Sequence, residues 1–283
     1  MIKEIGRLIV YSNFWISLGA ACFVSEYYLI FDVEPNWYFI HFIGASTFLT
    51  YSFQRYIKLK QKSYLKNDRF VWMKQFDKLS KFLMVIAFVV ALFCLIKLDL
   101  FHWRYLNNGT LILIIMGFVS FFYIIRIPFF LSSNLRDIPY IKIYLIAIVW
   151  TLSATYLPNI YAHLPLINEL HLFALACFCF IVAITIPFDL RDLDVDSAHK
   201  KTIPQLAGIK GAQTIAIALI IISTVLLSIL LQEFLIITSI ATLGMAYAFT
   251  KAKPDQKDLF FSFGIDGFLI LHPLAIYMDL ILL

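Results

Sequence analysis

Residues 167–196 read INELHLFALACFCFIVAITIPFDLRDLDVD, and this stretch decides the fold class. No Asp, Glu, Lys or Arg occurs between Glu169 and Asp189. That apolar run is about as long as the roughly 20 residues needed to cross the hydrocarbon core of a bilayer. The run then passes directly into a charged segment. This pattern predicts a transmembrane helix that ends at a membrane surface.

The rest of the chain repeats the pattern. Apolar residues make up 61% of the 283 residues and charged residues 14%, whereas an average soluble protein is about half apolar and a quarter charged. This composition argues against a water-soluble fold, and nothing in it indicates nucleic-acid binding. We expect one all-α polytopic membrane domain over residues 1–283 with about nine transmembrane helices. The predicted spans are residues 8–31, 36–54, 82–98, 110–131, 141–158, 167–188, 212–231, 233–250 and 259–280.

Lysine and arginine residues are distributed unequally between the loops, and this predicts the orientation. Among the loops, 20 basic residues fall on the N-terminal side of the membrane, and only Lys97 and Arg104 fall on the other. Because cytoplasmic loops are enriched in basic residues, we expect the N-terminus in the cytoplasm and the C-terminus outside, in the plasma or inner membrane. The segment 55–81 carries nine of the basic residues. It is either an amphipathic helix against anionic headgroups or an ordinary cytoplasmic loop.

Four aspartates lie close together at the end of the sixth predicted span. If the segment is helical, Asp189, Asp192 and Asp196 share one face and Asp194 lies on another. Carboxylates on one face repel one another, which is unfavourable for stability but suits a hard divalent cation such as Mg²⁺. Because Mg²⁺ usually binds one or two protein carboxylates together with substrate phosphates, the pattern predicts a phosphorylated or diphosphorylated ligand. The alternative is a solvated acidic loop that pairs with nearby lysines.

Further motif-like residues surround this acidic run. Those that follow it are Lys200, Lys201, Thr202, Pro204 and Gly208, and a looser set before it is Leu135, Arg136, Pro139, Lys142 and Trp150. Together with the acidic run, they resemble the second aspartate-rich motif region of the UbiA superfamily of intramembrane prenyltransferases. The predicted number and orientation of the spans agree with that family.

The resemblance implies a helical bundle around a lipid-accessible cavity, with the head of an isoprenoid diphosphate at its cytoplasmic end. It also implies Mg²⁺-dependent transfer of the prenyl group to an aromatic or other lipophilic acceptor. Metal and basic residues stabilise such a leaving group, and a dry cavity protects the allylic cation. The implied metal ligands are Asp189, Asp192 and Asp196. The implied substrate-binding residues are Tyr51, Gln54, Arg55, Lys58, Arg136, Lys142, Lys200 and Lys201.

The first aspartate-rich motif of the family is missing. Its expected position is residues 50–58, where Tyr51, Gln54 and Lys58 stand in place of the motif's aspartates. Asp68 is a candidate replacement ligand, although it comes later in the chain. The chain therefore either binds a diphosphate through one metal and its basic residues, or is a degenerate homologue that binds lipid or a membrane partner.

Ionisable residues inside the predicted spans give further alternatives, because such groups usually face the bundle interior or water. Arg126 and Asp266 are candidates for an interhelical pair, or for the ion path of a small-molecule transporter. His272 precedes Pro273 and is either a hydrogen-bonded histidine at a kink or a catalytic base. Glu26 in the first span is a further candidate.

Overall fold

A computed structural model describes residues 2–59, 68–98, 108–123, 125, 134–194, 196 and 198–283. Over these residues the chain is helical and contains no strand. The first six helices are α1 (Ile2–Tyr11), α2 (Phe14–Ile30), α3 (Trp37–Leu59), α4 (Asp68–Gln75), α5 (Asp77–Lys97) and α6 (Asn108–Phe122). The next six are α7 (Lys142–Ala154), α8 (Tyr156–Tyr161), α9 (Asn168–Arg191), α10 (Ile203–Leu231), α11 (Ile236–Lys251) and α12 (Phe268–Leu282). Short 3₁₀ turns lie at Leu135–Asp137 and Ala198–Lys200, and a π-helical turn, Phe260–Ile265, precedes α12.

The apolar run within residues 167–196 forms α9, the central helix of the bundle. It packs against α7 on one side and α10 on the other, and its side chains are buried around most of its circumference. By contrast, α5 packs mainly on α3 and presents many exposed apolar side chains. A helix that is apolar on its exposed face suits a lipid environment, because lipid replaces the protein core as its apolar surrounding.

Five helical segments among the described residues are long and apolar enough to cross a membrane. They are Asp77–Lys97, Lys142–Tyr161, Asn168–Arg191, Ile203–Leu231 and Phe260–Leu282. Two shorter apolar helices, Phe14–Ile30 and Gly109–Phe122, accompany them. These segments are those of an integral membrane protein. The count of nine spans and the lipid-accessible cavity stay predictions.

The predicted first span, 8–31, is wrong at its start. Asn13 has a left-handed backbone (φ 76°) that separates α1 from α2. Its side-chain amide donates to Ser52 Oγ at 2.9 Å, which fixes the break against α3. The short helix α1 then packs on α4 through a small cluster of Val10, Tyr11, Trp72 and Met73. The segment 55–81 thus includes the end of α3, the helix α4 and the start of α5, while residues 60–67 lie outside the described residues.

Two other predicted boundaries also differ from the structure. Helix α6 ends at Phe122, earlier than the predicted span 110–131, and Arg126 lies outside the described residues. Helix α10 begins at Ile203 behind a capping box of Thr202 and Gln205, well before predicted residue 212. Its early turn is bent at Gly208, whose φ of 70° is a conformation that glycine adopts without steric cost.

Candidate functional site

The charged residues of interest lie at helix ends that meet at one end of the bundle. Asp189 and Asp192 lie at the carboxyl end of α9, and Lys142 is the first residue of α7. Lys58 lies at the carboxyl end of α3, and Arg136 lies in the 3₁₀ turn before α7. Helices α3 and α9 end at this end of the bundle and α7 begins there, so residues far apart in sequence come together.

Lys142 lies between two aspartates. Its Nζ atom is 2.6 Å from Asp189 Oδ1 and 3.0 Å from Asp196 Oδ2. All three side chains are buried, with at most 9% of each exposed. One ammonium group therefore draws two carboxylates to a single point, which offsets the cost of burying like charges together.

Arg136 joins the third aspartate to the same group. Its NH2 atom lies 3.5 Å from Asp192 Oδ2 and 3.7 Å from Asp196 Oδ1. Burial raises the pKa of Asp192, but the cations of Arg191, Lys142 and Arg136 lower it by more, so the pKa lies below its ordinary value. For Asp196, burial likewise raises the pKa, and Lys142 and its other cationic neighbours again lower it by more. Both carboxylates are therefore held in the charged form.

The ion pairs continue beyond these residues. Arg191 Nε contacts Asp192 Oδ1 at 2.8 Å, and its NH1 atom contacts Asp258 Oδ1 at 3.3 Å. Arg69 NH2 lies 3.3 Å from the other oxygen of Asp258. On the opposite side, Lys200 bridges Asp196 at 2.7 Å and Asp137 at 3.0 Å. We call this set the charged cluster: Arg69, Arg136, Asp137, Lys142, Asp189, Arg191, Asp192, Asp196, Lys200 and Asp258.

The helical projection that grouped the three aspartates does not apply to the whole run. Helix α9 ends at Arg191, so Asp196 is not on the helix. A tight turn, in which the Asp196 amide donates to the Asp192 carbonyl at 2.8 Å, returns the chain to the helix end. Asp194 is exposed, whereas Asp189 and Asp196 are buried. Asp189, Asp192 and Asp196 are thus folded against basic neighbours, which include Lys200 as the alternative reading expected.

The other predicted substrate-binding residues divide into two groups. Lys58 is close enough to Asp192, Arg136 and Lys142 to interact with them electrostatically, so it borders the charged cluster. Lys201 is exposed, and its Nζ lies over the Tyr140 ring at 5.4 Å, outside the cluster.

The α3 residues before Lys58 border a different part of the site. The Arg55 guanidinium lies 6.0 Å from the centre of the Tyr51 ring and interacts electrostatically with Arg69 and Asp266. Gln54, on the same helix, is half-buried.

Two residues of this region, Arg69 and Asp258, were not singled out from the sequence, although both side chains are largely buried and form an ion pair. Asp266 was paired with Arg126, which lies outside the described residues; in the structure the cations near Asp266 are Arg55, Arg69 and Arg191. The π-helical turn just before Asp266 is a structural signal, since such turns are frequent at functional sites. The side chain of Asp68, the candidate replacement ligand, lies outside the described residues.

The donor set fits Mg²⁺ only in part. Two carboxylate oxygens converge on the Lys142 ammonium, and Mg²⁺ bound with a phosphorylated substrate commonly uses one or two protein carboxylates. In the part of the chain that the structure describes, no three His, Cys, Asp or Glu side chains form a group that could hold a metal. The Mg²⁺ ion and its three-aspartate ligand set therefore stay predictions.

A second polar pair lies within the apolar bundle. His272 Nδ1 is 2.7 Å from Glu26 Oε1, and both side chains are almost fully buried. His272 also packs on Phe180, with ring centres 4.2 Å apart. The pair links α12 to α2, as expected for a hydrogen-bonded histidine.

No protein-family description, no curated protein and no solved structure matches the chain.

Proposed function

We propose that this protein is a UbiA-like intramembrane prenyltransferase, which binds an isoprenoid diphosphate at the charged cluster and transfers its prenyl group to an aromatic or other lipophilic acceptor. The observation that carries the proposal is the convergence of Asp189 and Asp196 on Lys142 at one end of an apolar bundle. Acidic and basic groups side by side suit a ligand that carries phosphate oxygens together with a metal.

The proposed roles follow from side-chain chemistry. Asp189 and Asp196, with Asp192 as a further ligand, would hold Mg²⁺, and the ion would neutralise diphosphate charge and favour departure of the leaving group. Lys142, Arg136 and Lys58 would bind phosphate oxygens, because lysine and arginine donate charge-assisted hydrogen bonds. Arg55, Tyr51 and Gln54 would line the adjoining part of the site on α3. Lys200 would keep Asp196 in place, through its contact at 2.7 Å.

The proposed function also implies an orientation of the protein in the membrane. If the charged cluster binds diphosphate at the cytoplasmic surface, the N-terminus is cytoplasmic and the C-terminus lies outside. The strong bias of basic residues toward one set of loops supports this orientation.

Release of pyrophosphate tests the proposal. Purified protein would be incubated with Mg²⁺, lipophilic acceptors and polyprenyl diphosphates of several chain lengths. We expect release by the wild type and by Asp194→Asn, whose side chain is exposed. Asp189→Asn should reduce release by about tenfold or more, because one carboxylate of the metal site is lost. No release by a folded wild-type protein, or equal release by Asp189→Asn, would contradict the proposal.

A degenerate homologue that binds lipid or a membrane partner without catalysis is the second candidate. Two observations favour it: the three aspartates all have cationic partners within the protein, and residues 50–58 contain no carboxylate. Gln54→Asp restores one expected carboxylate of the first motif. Turnover that is absent in the wild type and arises in this variant would support the degenerate reading, whereas robust wild-type turnover would exclude it.

A further inference from the structure

We propose that Lys142 occupies the metal position of the ligand-free site, so that a divalent metal and a diphosphate bind only together. This coupled binding of metal and diphosphate rests on the proposed function. In the structure, the Lys142 ammonium lies at the point where the Asp189 and Asp196 carboxylates converge.

Distance makes the ammonium and a metal ion at the same position mutually exclusive. Lys142 Nζ is 2.6 Å and 3.0 Å from the two carboxylate oxygens. A Mg²⁺ ion needs oxygen ligands at about 2.0–2.1 Å in near-octahedral geometry, so an ion that bridged the two oxygens from the side of the ammonium would collide with it. Such an ion must therefore displace Lys142.

Charge balance decides when that displacement occurs. Among the described residues, the cluster contains five Lys or Arg side chains and five Asp side chains joined by ion pairs. A lone divalent ion would add two positive charges to a partly buried network whose carboxylates already have cationic partners, and it would leave the Lys142 ammonium without Asp189 and Asp196. Buried charge without a partner is costly.

A diphosphate supplies the missing partner. Lysine has a flexible stem and binds phosphate as a point charge, so Lys142 can exchange the carboxylates for phosphate oxygens. The carboxylates are then free for the metal, and the charges of metal and diphosphate offset each other. Lys58, which borders the cluster, adds positive charge on the side of α3.

Metal titrations of the full-length protein in detergent test this order. Mn²⁺, followed by electron paramagnetic resonance, would be titrated with and without a non-hydrolysable prenyl thiodiphosphate, after correction for Mn²⁺ bound to free thiodiphosphate. We expect Mn²⁺ to bind about tenfold or more tightly when thiodiphosphate is present, and thiodiphosphate affinity to rise by the same factor with Mn²⁺, because coupling is reciprocal. If thiodiphosphate binds but the Mn²⁺ affinity is the same with and without it, the coupled-binding inference is wrong and the proposed function still stands. Failure of thiodiphosphate to bind would overturn the proposed function, and the inference with it.

Two variants isolate the role of Lys142. Lys142→Met should bind Mn²⁺ without thiodiphosphate about tenfold more tightly than the wild type, because the position is vacated. Lys200→Met removes another cation in contact with Asp196 but leaves Lys142 in place, so its Mn²⁺ affinity should change much less. Unchanged Mn²⁺ affinity in folded Lys142→Met, or an equal gain in Lys200→Met, would contradict the inference. If Lys142→Met does not fold, the Mn²⁺ titrations of the wild type with and without thiodiphosphate test the inference.

Discussion

The imidazole of His272 and the carboxyl group of Glu26 meet at 2.7 Å inside the helical bundle, where they join α12 to α2. Glu26 is 0% exposed and His272 is 1% exposed, so water does not compete for this contact. Hydrogen bonds between buried side chains of membrane helices contribute up to about 1–2 kcal/mol. The pair is therefore a stabilising link between the first apolar helix and the last.

We expect Glu26→Ala and His272→Ala each to lower the free energy of unfolding by about 1–2 kcal/mol. The double variant should lose much less than the sum, because the second substitution removes a group that has already lost its partner. Glu26→Gln keeps an acceptor oxygen and should be milder than Glu26→Ala. Unfolding in mixed micelles measures all four proteins. Strictly additive losses would show that the two side chains do not act as a pair.

Removal of Lys142 should cost more than removal of an exposed lysine. In Lys142→Met two buried carboxylates lose their shared cation, and we expect a loss of about 3–5 kcal/mol. Adding Asp189→Asn should recover part of it by removing one of the repelling charges. The matched control is Lys81→Met, which breaks an exposed pair with Asp77 and should cost much less, because water screens exposed ion pairs. Similar melting temperatures for Lys142→Met and Lys81→Met would contradict the buried-pair description.

Acid should destabilise the protein partly through Asp192. Burial raises the pKa of this carboxyl, but neighbouring cations lower it by more, so the folded-state pKa lies below the unfolded value of about 3.9. Its stabilising contribution is fully present above about pH 5 and is lost as the pH falls toward the folded-state pKa.

Thermal unfolding in detergent between pH 7 and pH 3 checks this sign. Asp192→Asn should lose less stability over that interval than the wild type, while Asp194→Asn, altered at an exposed position, should follow the wild type. Some acid sensitivity should persist in Asp192→Asn, because the pKa of Asp196 is also lowered. Equal acid sensitivity in Asp192→Asn and the wild type would contradict the assignment.

Apolar length and charge placement were sufficient to predict the helical architecture. Uncharged runs of roughly 20 residues predict membrane helices, and α9 occupies almost the whole of its predicted span. The break at Asn13 was missed because it depends on a hydrogen bond to Ser52 from another helix, which no local pattern records. The early start of α10 was missed because its first turn, near Pro204, is too polar to resemble a span.

The sequence singled out some residues of the candidate site but did not indicate how they pair. The motif spacing identified Asp189, Asp192 and Asp196, and the loose match before α7 identified Arg136 and Lys142. Nothing in the spacing indicated that Lys142 would lie between two of the aspartates, because that contact depends on how α7 packs against α9. Asp258 and Arg69 were not predicted for the same reason, because each lies in a segment far in sequence from the acidic run.

The predicted topology places the two ends of the last helix on opposite sides of the membrane. Reporter fusions after Lys253 and at Leu283 should therefore report different compartments, the first cytoplasmic and the second external, because basic loops favour the cytoplasm. A fusion after Lys58, at the end of α3, is the matched cytoplasmic control. If the fusions at Lys253 and Leu283 report the same compartment, the orientation and the proposed diphosphate site at the cytoplasmic surface are both wrong.

Binding of a prenyl thiodiphosphate, measured with Mg²⁺ and with EDTA, tests the central claim most directly. The wild type and Asp194→Asn should bind tightly with Mg²⁺ and lose about tenfold or more of that affinity in EDTA. Asp189→Asn and Asp196→Asn should bind weakly in both conditions and resemble the wild type in EDTA, with thermal stability measured alongside to confirm folding. Two results would contradict the claim. The wild type could bind thiodiphosphate equally tightly with Mg²⁺ and with EDTA, or Asp194→Asn could lower the affinity as much as Asp189→Asn does. Either result would show that the charged cluster is not a metal-dependent diphosphate site.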